Sequence, residues 1–144
     1  MKTNISTPPG ESDSQGLRIS RKTLWIGRIL SALPVLFLLM DAIMKLVKPE
    51  PVVKATIELG YSESVIIALG VILLVCVILY LVPRTAILGA ILLTGYFGGA
   101  IATQMRVGNP LFSHVLFPVY LAVLIWGGLF LRDSRLRALI PLRN

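Results

Sequence analysis

Four apolar segments of nearly equal length restrict the possible folds more than any other feature of the sequence. They cover residues 24–47, 64–82, 85–105 and 111–131. A helix needs about 20 apolar residues, each adding about 1.5 Å, to cross about 30 Å of hydrocarbon. Runs such as VIIALGVILLVCVILYLV are apolar on every side and lack the alternation typical of an outer-membrane barrel strand. The sequence therefore predicts four transmembrane helices.

The links between these segments are short, which indicates how the helices follow one another. VPRT joins the second segment to the third, and RVGNP joins the third to the fourth. Such short links favour antiparallel neighbours, so we expect an all-α membrane protein, an up-down-up-down bundle of four transmembrane helices. The bundle uses residues 24–131 and leaves no room for a second domain.

Local signals predict details of this bundle. The longer link KPEPVVKATIELGYSES carries apolar residues from Val52 to Leu59 and then Gly60, which predicts a short surface helix with the glycine at its C-terminal end. Pro34 should kink or loosen the first span. Asn109 is a suitable N-cap for the fourth span, with Pro110 in its first turn.

The two ends of the sequence differ from the apolar middle. Residues 1–23 are rich in Ser, Thr, Pro and Gly, which predicts a disordered tail. A cleavable signal peptide is not expected, because the first apolar segment is long enough to span the membrane. Residues 132–144 form a short basic tail.

The net charge of +7 is distributed unevenly across the predicted topology. One face receives nine basic residues: Lys2, Arg18, Arg21, Lys22, Arg84, Arg132, Arg135, Arg137 and Arg143. The other face receives four: Lys45, Lys48, Lys54 and Arg106. The positive-inside rule then places both termini in the cytoplasm. The basic clusters are topology signals that could also contact anionic lipid, and nucleic acid is not an expected partner.

The third apolar segment holds a run of small residues where a lipid-facing helix could have used leucine. In a helical arrangement they form two adjacent rows at four-residue spacing: Ala90, Thr94, Gly98 and Ala102 in one, and Gly95 and Gly99 in the other. Small residues let helix backbones approach closely in lipid, so this stripe predicts a packing seam with the third span at the centre of the bundle. The stripe could also leave space for a flat or chain-like ligand.

Several polar residues are predicted at one depth near the outer side of the membrane. Asp41 lies inside the apolar layer, about 25 Å along the first span, and needs a partner there. Lys45 follows at i+4 on the same helix face. Gln104 and Arg106 end the third span, and His114 begins the fourth. These five residues are expected to face one outer vestibule.

Two interpretations of this vestibule remain open. The polar residues could be tolerated through an ion pair of Asp41 with Lys45 or Arg106, or they could form a binding or proton-handling site in which Asp41 and His114 titrate. A metal site is not expected, since the only histidine has neither a second histidine nor a thiolate beside it. The lone Cys76 cannot form an internal dithiol pair, and no nucleotide-binding or hydrolase motif is present, so an independent enzyme is not expected.

Four segments of the sequence resemble the DoxX-like family of small bacterial four-span membrane proteins. They are LLMDAIMKL, ELGYSES, LYLVPRTAILGAILLTGYFGGAIATQMRVGNPLF and WGGLFLRDSRLRALIP. Relatives in the broader group are named for a subunit of a plasma-membrane thiosulfate-to-quinone oxidoreductase, and others are linked to thiol and oxidative-stress systems. The resemblance implies a membrane fold and a redox association, but it supplies no catalytic residues.

Three functional hypotheses follow. The chain could be a non-catalytic accessory subunit that binds a quinone, another small molecule or a redox partner. It could be a small oligomeric transporter or channel that uses the polar vestibule. It could also be a purely structural membrane bundle. A quinone is the only cofactor considered, and the expected partners are the lipid bilayer, a redox complex or further copies of the chain.

Overall fold

The computed structural model describes residues 20–139, and within that range the chain is helical, without strands. The elements, in chain order, are α1 (Arg21–Val47), α2 (Glu50–Glu58), α3 (Val65–Leu81), α4 (Ala86–Val107), a π-helical turn (Leu111–Val115), α5 (Phe117–Arg132) and α6 (Ser134–Leu139). The predicted all-helical fold is confirmed for these residues. Each of the four predicted apolar segments overlaps one of the four main helices, α1, α3, α4 and α5.

Among residues 20–139, three helical segments are long and apolar enough to cross a membrane: Arg21–Val47, Ala86–Val107 and Leu111–Arg132. The remaining apolar helix, α3, is shorter at 17 residues. At about 1.5 Å per residue, α3 extends about 25 Å, slightly less than the usual hydrocarbon thickness. The described residues therefore form three apolar helical segments that are long enough to cross a membrane and one shorter apolar helix, as expected of a helical membrane protein.

The long helices pack in a ring. α1 packs mainly against α3 and α5, and α4 packs mainly against the same two helices. The prediction that the third span, which is α4, lies at the centre is therefore wrong, because α4 occupies one corner of the ring. The buried core includes Leu38, Leu73, Val77, Leu93 and Ile125, which come from all four long helices.

Close helix contacts lie at the end of the ring that carries the α3–α4 turn. A Cβ atom added at Gly128 of α5 would lie 2.9 Å from the backbone nitrogen of Ser31 and 3.0 Å from the carbonyl oxygen of Gly27, both in α1. Gly89 of α4 lies against the backbone of Tyr80 in α3 with no room for a side chain. These glycines allow the backbone approach that lipid-embedded helices use for packing.

Tyr80 contacts two other helices at the end of the ring that carries the α3–α4 turn. Its side chain is fully buried, and its hydroxyl is hydrogen-bonded to the carbonyl oxygen of Ile125 at 2.8 Å and to Oγ of Ser31 at 3.0 Å. The Arg132 guanidinium lies 4.8 Å from the centre of the Tyr80 ring. Tyr80 therefore links α3 to both α1 and α5.

Tyr80→Phe is expected to lower the free energy of unfolding by about 1–2 kcal/mol, because the hydroxyl contacts are lost while the ring still fills its site. Thermal unfolding of the purified protein in one detergent would measure the change. Tyr120→Phe is the matched control, because Tyr120 is exposed and its hydroxyl makes only a long contact of 3.4 Å with the carbonyl oxygen of Phe112. Equal stability of the two variants would contradict the assigned role of Tyr80.

The helix ends differ from the predicted boundaries at both tails. α1 begins at Arg21, with the Ser20 hydroxyl accepting a hydrogen bond from the backbone nitrogen of Thr23 at 3.2 Å. The last three residues of the predicted disordered tail are therefore helical, and residues 1–19 lie outside the described range. The predicted basic tail contains α6, whose Arg137 donates to the carbonyl oxygens of Phe130 and Leu131 in α5. Residues 140–144 are outside the described range.

The fourth span is not one continuous α-helix. A π-helical turn precedes α5, and Pro118 lies in the first turn of α5, where its missing N–H leaves no helical hydrogen bond unmade. The predicted N-cap at Asn109 is wrong, because its side chain donates to Oε1 of Gln104 and Pro110 takes the capping position. The predicted surface helix is confirmed as α2, and Gly60 follows it with a φ of +86°.

Candidate functional site

The glycines of α4 do not form the predicted packing seam. A Cβ atom added at Gly95, Gly98 or Gly99 would meet no atom of another helix within 4 Å in the described part of the chain. Of the predicted seam residues, Ala90 is buried, whereas Thr94 and Ala102 are exposed. Thr94 instead accepts a hydrogen bond from Nε1 of Trp126 at 2.8 Å, which links α4 to α5.

Gly95 and Gly99 lie further from the tight turn between α3 and α4 than Gly89 does, and both line a cavity that Leu69 of α3 also lines. At Gly70, α3 stays close to α1, where an added Cβ would lie 2.9 Å from Cβ of Lys45. Gly95, Gly99 and Thr103 follow at four-residue spacing and share one face of α4. This face points towards the beginning of α3, since Thr103 Oγ1 is 2.7 Å from the hydroxyl of Tyr61. Between these points the two helices leave an open wedge.

The wedge contributes to a cavity of about 490 Å³ between the helices. This volume falls within the range of about 300–1,000 Å³ typical of small-molecule sites. The lining residues come from α1, α2, α3, α4, α5 and the segments beside them: Phe37, Leu38, Asp41, Lys45, Val52, Ala55, Thr56, Leu59, Tyr61, Leu69, Gly95, Tyr96, Phe97, Gly99, Ala100, Thr103, Gln104, His114, Phe117, Pro118 and Leu121.

Four of the five predicted vestibule residues line this cavity: Asp41, Lys45, Gln104 and His114. The Asp41 carboxylate forms an ion pair with Lys45 one turn along α1, as the i+4 spacing predicts. Oε1 of Gln104 accepts a hydrogen bond from the side chain of Asn109, so this contact does not use the amide nitrogen of Gln104. Nδ1 of His114 lies 2.7 Å from the Ser113 hydroxyl.

Arg106, the fifth predicted vestibule residue, does not line the cavity. Its Nη2 donates to the carbonyl oxygen of Leu59 at 2.9 Å, just after the C-terminal end of α2. A cation at this position also interacts favourably with the negative end of the helix dipole. Arg106 therefore fixes α2 to α4, and the prediction that it belongs to the polar wall is wrong.

Helix α2 covers one end of the cavity. Val52, Ala55 and Thr56 of α2 contribute to the lining, as does Leu59, which follows the last residue of α2. Besides the contact with Arg106, an ion pair of 3.0 Å between Lys48 and Glu63 joins the segments on either side of α2. The apolar side of the amphipathic helix α2 thus closes the cavity.

The opposite part of the cavity is apolar and aromatic. Phe37 and Phe117 meet edge to face with their ring centres 5.1 Å apart, and Phe97 and Leu121 extend this wall towards the core. Polar groups at one end and aromatic groups at the other define a site of mixed polarity. Such a site suits a molecule with a polar head and an apolar body.

Sequence reasoning missed several polar residues of the site, above all Tyr61, Tyr96 and Thr103. Tyr96 had a visible signal, because a tyrosine in the middle of an apolar span brings a hydroxyl into the hydrocarbon layer. Tyr61 had none, because its position in a link does not reveal that it reaches across to α4. Within residues 20–139, no cluster of three His, Cys, Asp or Glu side chains could hold a metal ion.

These features define the class: a helical membrane protein with a cavity of mixed polarity among its helices. The model of the DoxX-like family matches residues 29–128, from the third turn of α1 to near the end of α5. The chain therefore belongs to the DoxX-like family, as the sequence segments quoted above indicate. No curated protein and no solved structure gives a significant match to the chain.

Proposed function

We propose that the protein binds a small amphipathic molecule in the cavity and serves as a non-catalytic accessory subunit of a membrane redox system. The observation that carries this proposal is the cavity itself, which has the volume and mixed polarity of a ligand site. A quinone is a fitting ligand, because its ring could pack against the aromatic wall while its oxygens accept hydrogen bonds from Lys45 or Gln104. The redox association rests on family resemblance, which supplies a weaker argument than the cavity.

Binding explains the structure better than passage of a solute through the chain. Beyond the cavity, Leu73, Val77, Tyr80, Leu93 and Ile125 are fully buried and fill the middle of the ring. A solute entering from the α2 side would meet this packed region. A transporter or channel would therefore need either an assembly of several copies or a large rearrangement, and unchanged liposome flux in Asp41→Asn and His114→Ala would exclude these residues from any pathway.

The orientation that we propose puts the cavity on the outer side of a bacterial plasma membrane. The four apolar helices then cross the membrane in alternating directions, with both termini in the cytoplasm. Support comes from the basic residues, which number nine on the terminal side and four on the α2 side. The same arrangement leaves the outer faces of the helices in contact with lipid, further copies of the chain or a redox partner.

A substitution that fills the cavity tests the proposed binding. Ala100→Phe is expected to reduce the amount of any co-purifying small molecule about tenfold or more, which corresponds to about 1.4 kcal/mol of lost affinity. Mass spectrometry of organic extracts from protein purified in a mild detergent would measure this amount. Ala102→Phe is the matched control, because Ala102 lies two residues along the same helix, is exposed and does not line the cavity.

Two results would contradict the proposal. One is repeated recovery of wild-type protein without any bound small molecule or redox partner. The other is equal ligand content in Ala100→Phe and Ala102→Phe, both shown to be folded by size-exclusion chromatography, because the ligand would then lie on the outer surface.

A further inference from the structure

The cavity has an open side wall at Gly95 and Gly99. Both glycines line the cavity and are also exposed on the outer surface of α4. From the beginning of α4 at Ala86, they lie about 14 Å and about 20 Å along a helix of about 33 Å. This part of the cavity wall is therefore expected to lie at the level of the lipid chains.

The other side of the opening is α3. Leu69 of α3 lines the same cavity, and the row that contains Gly95 and Gly99 continues to Thr103, which contacts Tyr61 just before α3 begins. No neighbouring helix approaches Gly95 or Gly99 within the described residues, so close packing does not explain why side chains are missing there. A larger side chain at either position would narrow the gap between α3 and α4. We call this gap the lateral opening.

The polar end of the cavity carries an acid and a base that neutralise each other. Lys45 is paired with Asp41, and the neighbouring polar groups include the Gln104 amide and the hydroxyls of Tyr61 and Thr103. A charged head group would find no net opposite charge here, because Asp41 and Lys45 neutralise each other. Nothing would then offset the free energy needed to move the charge out of water. A neutral head that both donates and accepts hydrogen bonds matches these groups.

We propose that the cavity takes a single-chain amphiphile with a neutral, hydroxyl-bearing head, and that the molecule enters sideways from the bilayer. Its head lies beneath α2 against Asp41, Lys45 and Gln104, and its chain passes through the lateral opening. This inference rests on the proposed function, because it names the ligand class and the route for the same cavity.

Photolabelling in lipid nanodiscs tests both parts. The probe is a monoacylglycerol with a diazirine near the middle of its chain, and peptide mass spectrometry locates the labelled residues. Wild-type protein is expected to show saturable labelling of cavity residues such as Phe97 and Leu121. Unlabelled monoolein should compete with the probe at least about tenfold more strongly than oleyl sulfate or oleoylcholine, which carry permanent charges; this ratio corresponds to about 1.4 kcal/mol.

Glycine substitutions test the route. Gly95→Phe and Gly99→Phe are expected to slow labelling of the cavity about tenfold, whereas Gly98→Phe should label like the wild type. Gly98 is the matched control, because an added Cβ atom there also meets no atom within 4 Å in the described residues, but Gly98 does not line the cavity. Size-exclusion profiles and melting temperatures confirm that each variant is folded before labelling is compared.

The possible failures are distinguishable. Saturable cavity labelling that is equal in the Gly95, Gly98 and Gly99 variants would overturn the lateral route and leave the proposed function standing. Equal competition by the charged amphiphiles would overturn the neutral head group. Labelling spread over the outer face of α1, without competition by monoolein, would show that the cavity does not bind this class of probe and would overturn the inference. If the purified protein then contained a ligand of another class, the proposed function would stand without the inference.

Discussion

Gly128→Leu is expected to prevent correct packing of the helices, whereas Gly127→Leu should leave the fold intact. An added Cβ at Gly128 would meet Ser31 and the carbonyl oxygen of Gly27 across the contact between α1 and α5. Overpacking a tight contact costs about 1–3 kcal/mol or more, and a leucine at a backbone crossing belongs at the upper end. Both contacts are with backbone atoms or a short side chain, so little relief is available without separating the two helices.

The adjacent glycine supplies the control. Gly127 has the same helix propensity and lies one residue away along the same helix, but an added Cβ atom there would meet no atom within 4 Å in the described residues. Thermal unfolding followed by size-exclusion chromatography in one detergent would compare the two variants with wild type. Similar melting temperatures for Gly127→Leu and Gly128→Leu would show that the contact between α1 and α5 is not tight in the protein.

The second large effect is expected at the ion pair in the cavity wall. Lys45→Leu leaves the Asp41 carboxylate without its partner, and a charge within the apolar layer costs up to about 3 kcal/mol. Asp41→Leu should cost less, because the long lysine side chain near the helix end can extend towards water while a short aspartate cannot. The double variant should be more stable than Lys45→Leu, since neither charge then remains. Unfolding by SDS titration in mixed micelles would give the three differences in free energy.

The same three variants separate a structural role from a functional one. If the pair is only tolerated in the membrane, the double variant should regain both stability and any ligand content of the wild-type protein. If the pair holds a ligand head group, the double variant should regain stability and remain poor in ligand. A double variant less stable than either single variant would show that the two charges do not depend on each other.

Much of the fold and part of the site could be predicted from the sequence. Asp41 and Lys45 pair because i+4 spacing on a helix brings their side chains together. Gln104 lies near the C-terminal end of α4 and His114 near the beginning of the fourth span, so the short link between them brings both residues to the same cavity. Arg106 has the same depth, yet its side chain reaches α2, and only the position of that surface helix reveals this contact.

The glycines of α4 show a feature that could not be predicted from the sequence, namely which of them pack against another helix. A small residue permits close approach of another helix but does not require it. Gly89 packs closely against the backbone of Tyr80, whereas Gly95 and Gly99, on the same helix, face open space. Gly89 lies beside the tight turn that joins α3 to α4, whereas Gly95 and Gly99 lie further along α4. No property of the glycines themselves predicts how far the helices separate.

The sequence by itself determined the helical class, the approximate extent of the apolar helices and the depth of the polar residues, because hydropathy and helical rise act locally along the chain. Only the tertiary structure decided which helices touch and where they part. Contacts between helices in lipid depend on how whole surfaces fit, since apolar side chains interact as well with lipid as with one another. The cavity exists because that fit is close around Tyr80 and Gly128 and open at Gly95 and Gly99.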